Sequence, residues 1–113
     1  MNREALTRCG AFRLMSFEEI REFLCCVCAT YEELDNNRRF LLSADDLAVV
    51  LFGEISLRGR SVFASEAVSG EGIIHAYTRA GILVISRSRL FSLCKNVCPC
   101  HRRAVVNLAA FCL

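Results

Sequence analysis

RFLLSADDLAVVLFGEISL, Arg39 to Leu57, is the stretch whose reading decides the fold. Within it Leu47–Phe52 is an unbroken apolar run, closed by Asp45-Asp46 on one side and Gly53-Glu54 on the other. Six apolar residues between turn signals fit a buried strand better than a helix, which needs twice that length. Beyond Gly53 the residues alternate: Ile55 and Leu57 point one way, Ser56 and Arg58 the other. That is the pattern of a half-buried strand folding back on its neighbour. The stretch therefore reads strand, turn, strand, tight Gly-Glu turn, strand.

Working outward, Gly53, Gly59, Gly70, Gly72 and Gly81 punctuate short segments of β character, which predicts strands over 39–43, 47–52, 54–58, 61–66, 72–78 and 81–86. Upstream, Ser16 followed by Phe17-Glu18-Glu19 marks a helix start, with a hydroxyl cap and acids where the helix dipole favours them. At 100° per residue Phe17, Ile20, Leu24, Val27, Cys28 and Tyr31 share the face expected to pack on the domain, while Cys26 is expected outside. This predicts a helix over 16–30, then a polar connection with a turn at Asp35-Asn36-Asn37. Residues 1–15 offer only Leu6, Phe12, Leu14 and Met15 at helix-compatible spacing. Downstream, Ser88 is expected to cap a helix over 88–95. Pro99, the only proline, suits the first turn of a final helix over 99–113. The expected fold is α+β: one domain, 1–113, an antiparallel β-roll of jelly-roll type with one N-terminal and two C-terminal helices.

Length and composition narrow the function. A chain of 113 residues supports one core, and a net charge of +2 gives no strong field for nucleic acid or an anionic membrane. No apolar run approaches the roughly 20 residues that a bilayer requires. Arg3 and Arg8 are not followed by an apolar block, so no secretion signal is expected and the expected compartment is the cytoplasm. Thiols stay reduced there, so the eight cysteines read as packing residues, metal ligands or redox sensors, not a disulfide framework.

Cys94, Cys98, Cys100 and His101 are the candidate ligands for a zinc or iron–sulfur site, gathered around a helix start. The favoured reading has no cofactor. Cys25 and Cys28 make a poor half-site if both lie within a helix, because zinc pairs usually sit on turns. Cys98 and His101 lack an orienting carboxylate, and the two histidines, His75 and His101, are too few for the metal-dependent cupin enzymes that share a jelly roll. No enzyme is expected. In the final helix Val105, Leu108 and Cys112 align on one side, with Phe111 flanking, as a candidate dimer seam.

Taken in order, these segments resemble the effector domain of Crp/Fnr-type transcription regulators. Arg39–Leu57 is similar to the first half of the cyclic-nucleotide-binding β-roll, Ser69-Gly70-Glu71 to its later Pro-Gly-Asp/Glu turn, and Ala76–Phe91 to its last strand pair and helix start. Cys94-Lys-Asn-Val-Cys98-Pro-Cys-His101 resembles a cysteine-bearing subgroup. The resemblance implies a bacterial sensor domain, with Glu71, His75 and Arg79 as candidate residues of a ligand cavity for an unidentified small-molecule effector. Two departures qualify it. Nucleotide-binding members carry a phosphate-binding cassette: Gly-Glu, a short helix, then Arg-Ser/Thr-Ala. Here Gly70-Glu71-Gly72 runs straight into Ile73-Ile74, with no room for that helix, so cyclic-nucleotide binding is not expected. No helix-turn-helix follows, so direct DNA binding is not expected either. The expected partner is a second copy or a related full-length regulator. The alternative function is a thiol-based metal or redox sensor on the same fold.

Overall fold

The computed structural model describes residues 3–90 and 106–107. Two antiparallel four-stranded sheets face each other. Numbered in chain order, the strands are β1 (Thr30–Leu34), β2 (Arg39–Leu42), β3 (Asp46–Phe52), β4 (Glu54–Leu57), β5 (Arg60–Phe63), β6 (Ala67–Ser69), β7 (Gly72–Ala76) and β8 (Ala80–Ser86). One sheet has the order β1-β8-β3-β6 and the other β2-β7-β4-β5. Consecutive strands thus mostly alternate between sheets, as the expected roll requires.

The Leu47–Phe52 run is a strand, and its apolar continuity has a definite cause. β3 and β8 lie side by side, with Leu47 opposite Ile85, Val49 opposite Leu83 and Val50 opposite Ile82. Leu47, Val49, Leu83 and Ile85 join a core shared with the N-terminal helices, whereas Ala48, Val50, Ile82 and Val84 join a second core between the sheets. Both faces are buried, so neither strand alternates with polar residues. β4 (Glu54–Leu57) is less half-sided than its sequence suggests: Ile55 and Leu57 are fully buried, Ser56 between them is buried as well, and exposed Arg58 falls in the turn that follows. It does not fold back on β3, however. β4 pairs with β5 and β7 in the opposite sheet, and the chain changes sheet at Gly53. Gly53 has φ of +86°, and a Cβ there would lie 2.4 Å from the Arg79 carbonyl oxygen, so only glycine makes the crossing.

The helical layer differs from expectation in three ways. Residues 3–15 hold α1 (Arg3–Arg8) and a 3-10 turn (Gly10–Phe12), which bury Leu6 and Phe12 and leave Leu14 exposed at a φ of +68°. α2 (Phe17–Cys26) starts as predicted, with a full capping box: the Ser16 hydroxyl accepts from the Glu19 N–H, and the Glu19 carboxylate accepts from the Ser16 N–H. It stops four residues early. Cys28 takes a left-handed φ of +51° and is exposed, not turned to the core; Cys26 is exposed as predicted. Phe23, outside the predicted face, is fully buried. β1 follows, on Thr30–Leu34, read from sequence as helix end and polar linker. Tyr31 lies opposite Leu83 and Leu34 opposite Ala80, with Glu32 and Glu33 on this edge strand. The Asp35–Asn37 turn is present, with Asn37 at φ +67°. β6 is likewise additional, carved from the segment after β5, which ends at Phe63.

α3 (Arg87–Leu90) begins earlier than predicted because its anchor is not Ser88 alone. The Asp45 carboxylate, from the β2–β3 turn, accepts from the Ser86 hydroxyl at 2.8 Å and from the Ser88 hydroxyl at 2.7 Å and N–H at 3.2 Å. The remainder of 88–95 and most of 99–113 lie outside the described residues. Of the latter, Val106 and Asn107 are helical, and the Asn107 side chain donates to the Arg13 carbonyl at 3.1 Å.

Leu83→Ala, in the strand buried on both faces, should lower stability by about 2–5 kcal/mol in urea unfolding. Leu41→Ala, at a side chain 67% exposed, should change it by less than about 1 kcal/mol. The Ser88 hydroxyl, then the Ser86 hydroxyl, hold the Asp45 carboxyl below its ordinary pKa. A depressed folded-state value stabilises the fold above the unfolded carboxylate range, about 4, and the gain is lost as pH falls through the folded value. Asp45→Asn should therefore flatten the acid limb of the stability–pH curve and leave its slope above neutrality unchanged.

Candidate functional site

The place where the resemblance puts a phosphate cassette is the crossing from β6 to β7. β6 ends at Ser69 and β7 starts at Gly72, so Gly70 and Glu71 alone carry the chain from one sheet to the other. Gly70 takes a φ of +100° to make the turn. The guanidinium of Arg58 closes it, donating to the Glu71 carbonyl at 2.8 Å and to the Ser69 carbonyl at 2.9 Å.

Arg58 reaches the turn from the neighbouring hairpin. Leu57 pairs with Arg60, so Arg58 and Gly59 form a two-residue loop between β4 and β5. Their φ angles are +51° and +78°, the positive pair of a type I′ turn, the hairpin form whose twist matches the strands. A side chain at the first position is unfavourable unless something holds it there. The two charge-assisted hydrogen bonds supply that hold.

Glu71, His75 and Arg79 were the candidate cavity residues, and the structure does not gather them. Glu71 precedes β7 and Arg79 follows it, so the strand's full length lies between them. Glu71 is exposed. His75 sits on the outer face of its sheet, between inward Ile74 and Ala76, both fully buried. It lies opposite Arg39 and Ser56 and meets the Tyr77 ring edge-on at 5.2 Å. Arg79 is exposed and pairs with Glu33 of β1. Nearby, burial and then the Glu33 carboxylate push the Tyr31 phenol above its ordinary pKa, with Arg79 opposing. The alternation of His75 away from Ile74 and Ala76 was legible, and its side faces out of the roll.

The space between the sheets is filled by Leu34, Leu42, Val50, Ile55, Leu57, Ile74 and Ile82, all buried. A hollow of about 320 Å³ exists elsewhere, between α1, the end of β3 and the β5–β6 turn, and is bordered by Glu4, Arg8, Cys9, Phe52 and Ser65. None of the three candidate residues lines it. Cys94, Cys98, Cys100, His101, Val105, Leu108, Phe111 and Cys112 lie outside the described residues. Among the described residues, no group of three or more His, Cys, Asp or Glu side chains is placed to hold a metal ion, and no helix is long and apolar enough to cross a membrane.

Sequence reasoning missed Arg58, having read it only as an outward residue of β4. The Arg-Gly pair before another short strand was the available signal. Arg58→Ala should lower stability by about 1–2 kcal/mol and speed amide exchange around Ser69–Gly72. Arg58→Gly, which loses the same bonds but relieves the positive φ, should be more stable than Arg58→Ala by about 1 kcal/mol. Equal losses in urea unfolding would mean that the turn backbone carries no strain.

No protein-family model and no curated protein matches the sequence. Solved structures do match. A cyclic nucleotide-binding domain from Methylobacillus flagellatus KT is similar with a TM-score of 0.68 at 18% identity, over 97% of this chain and 75% of that one. The N-terminal domain of a transcriptional regulator from Streptomyces coelicolor A3(2) gives a TM-score of 0.58 at 19% identity, over 94% of this chain and 90% of that one. Thermus thermophilus catabolite activator protein gives 0.59 at 17% identity, over 89% of this chain and 55% of that one. At these identities the likeness is one of fold. The two four-stranded antiparallel sheets with their helices form a β-roll like that of cyclic nucleotide-binding domains, including those of Crp-like regulators.

Proposed function

We propose that this chain is a sensor-type β-roll related to the effector domains of Crp/Fnr regulators, one that has given up cyclic-nucleotide recognition and acts through protein pairing. The observation that carries the reading is the β6–β7 crossing, two residues long and clasped by Arg58. A cyclic phosphate needs several converging N–H donors and a free guanidinium, as at a helix N-terminus. At this turn the guanidinium already serves two backbone carbonyls, and Gly70-Glu71 contains no helix.

Three further considerations support the reading. Leu34, Leu42, Val50, Ile55, Leu57, Ile74 and Ile82 give the space between the sheets an apolar lining, unsuited to an anionic phosphate. A net charge of +2 offers little of the counterion-releasing footprint that DNA binding uses. The aligned Val105, Leu108 and Cys112, flanked by Phe111, are the segment through which two copies, or this chain and a related full-length regulator, would pair. The same reading makes the chain a non-enzymatic protein of the cytoplasm. It acts on transcription only through its partner.

Calorimetric titration with cAMP and with cGMP should give no saturable heat at millimolar nucleotide. Sedimentation of the same protein at high micromolar concentration should show a dimer, reduced to monomer by Leu108→Glu. Saturable nucleotide binding lost on Arg58→Ala would overturn the first half of the proposal, and a monomer throughout would overturn self-pairing.

A further inference from the structure

We propose that Cys25 and Cys28 form a redox-active dithiol that closes reversibly to a disulfide across the end of α2. The inference stands apart from the proposed function and rests on how this helix terminates. The Ala29 N–H donates to the Leu24 carbonyl at 3.0 Å, and the Cys28 N–H donates to the Cys25 carbonyl at 3.2 Å. With Val27 as the C-cap, these two bonds are the paired closures of a Schellman motif, and Cys28 occupies its left-handed position. That position is ordinarily glycine, because a Cβ is disfavoured at positive φ. Cys28 holds it at +51°. A strained side chain kept where glycine would be cheaper points to use of that side chain.

Cys25 lies three residues before Cys28, across the same hydrogen-bonded turn. A turn closed by this bond keeps the two Cα atoms within about 7 Å, the range a disulfide spans. Both cysteines are exposed and neither is in a disulfide. The frame between them is fixed, since Val27 is fully buried and Leu24 and Ala29 pack in the helix–sheet core. Cys26, exposed between them, projects about 100° around the helix from Cys25. The three thiols are not placed together as a metal site.

The chemistry is thiol–disulfide exchange with a low-molecular-weight disulfide such as glutathione disulfide. One cysteine thiolate attacks a sulfur of the oxidant, forming a mixed disulfide and releasing one glutathione thiolate. The second cysteine, deprotonated, attacks the protein sulfur of that mixed disulfide and releases the second. Two protein thiols are oxidised, one disulfide is reduced to two thiols, and the two protons pass to the released glutathione.

The test uses the full chain carrying Cys26→Ser, equilibrated in glutathione buffers of increasing oxidised fraction, quenched by alkylation and mapped by mass spectrometry. The tryptic peptide 22–38 should lose two hydrogens and its two alkylation sites together, and dithiothreitol should restore both. Cys28→Gly in the same background should abolish that species and raise the urea midpoint, because glycine relieves the left-handed position. A peptide that stays reduced, or carries only glutathione adducts, overturns the proposal. So does a Cys28→Gly protein with a lower midpoint, since the strain argument would then be wrong.

Discussion

Everything in this fold depends on the β3–β8 pair being buried on both faces. One face of the pair, through Leu47, Val49, Leu83 and Ile85, supports the helical layer, and the other, through Ala48, Val50, Ile82 and Val84, supports the opposite sheet. Each Val, Leu or Ile side chain removed from water contributes roughly 1.5–3 kcal/mol, so this pair contributes to two cores at once. Two accommodations follow. The ladder shifts register between Val50 and Phe52, and Gly81 leaves the space that the Phe52 ring and the Tyr31 hydroxyl occupy. A Cβ at Gly81 would lie 2.4 Å from that ring.

The same burial explains which parts of the fold were legible. Leu47–Phe52 and Ile82–Ile85 are apolar on both faces, and such runs declare themselves without reference to their partners. Ile55-Ser56-Leu57 declares itself by alternation. β1 could not be read this way. Thr30-Tyr31-Glu32-Glu33-Leu34 is an edge strand whose conformation is dictated by β8, and its polar residues imitate a linker. The end of α2 was hidden for a different reason: sequence reasoning looks for glycine at a helix C-terminus, and here a cysteine stands in the glycine position. Which strands pair was beyond local patterns, so Gly53 was legible as a turn but not as a change of sheet.

At the candidate site the legible part was an absence: Gly70-Glu71-Gly72 runs into Ile73 with no length for a cassette helix. What the sequence could not place was the replacement. Arg58 lies twelve residues before Gly70 and belongs to a hairpin of one sheet, yet its guanidinium binds carbonyls on both sides of the crossing. Only the closure of the roll brings that loop and that turn together. Glu71, His75 and Arg79 lie apart because Glu71 and Arg79 sit beyond opposite ends of β7 and His75 is on its outer face.

The roll, clasped by Arg58 at its β6–β7 turn, is also tied down at its helices. Hydrogen-bonded corners hold its helical elements: Asp45 to Ser86 and Ser88 at the start of α3 and Ser65 to the Gly10 N–H tie them to the sheets, and Asn107 to the Arg13 carbonyl ties them to one another. These corners lie over the same core that Leu83 and Ile85 support. Movement of a helix at any of them is felt by strands buried on both sides, which resist bending because packed interiors deform little. On the proposed reading, a signal would pass along the helical layer as displacement of whole elements, with the packed sheets as the support against which that layer moves.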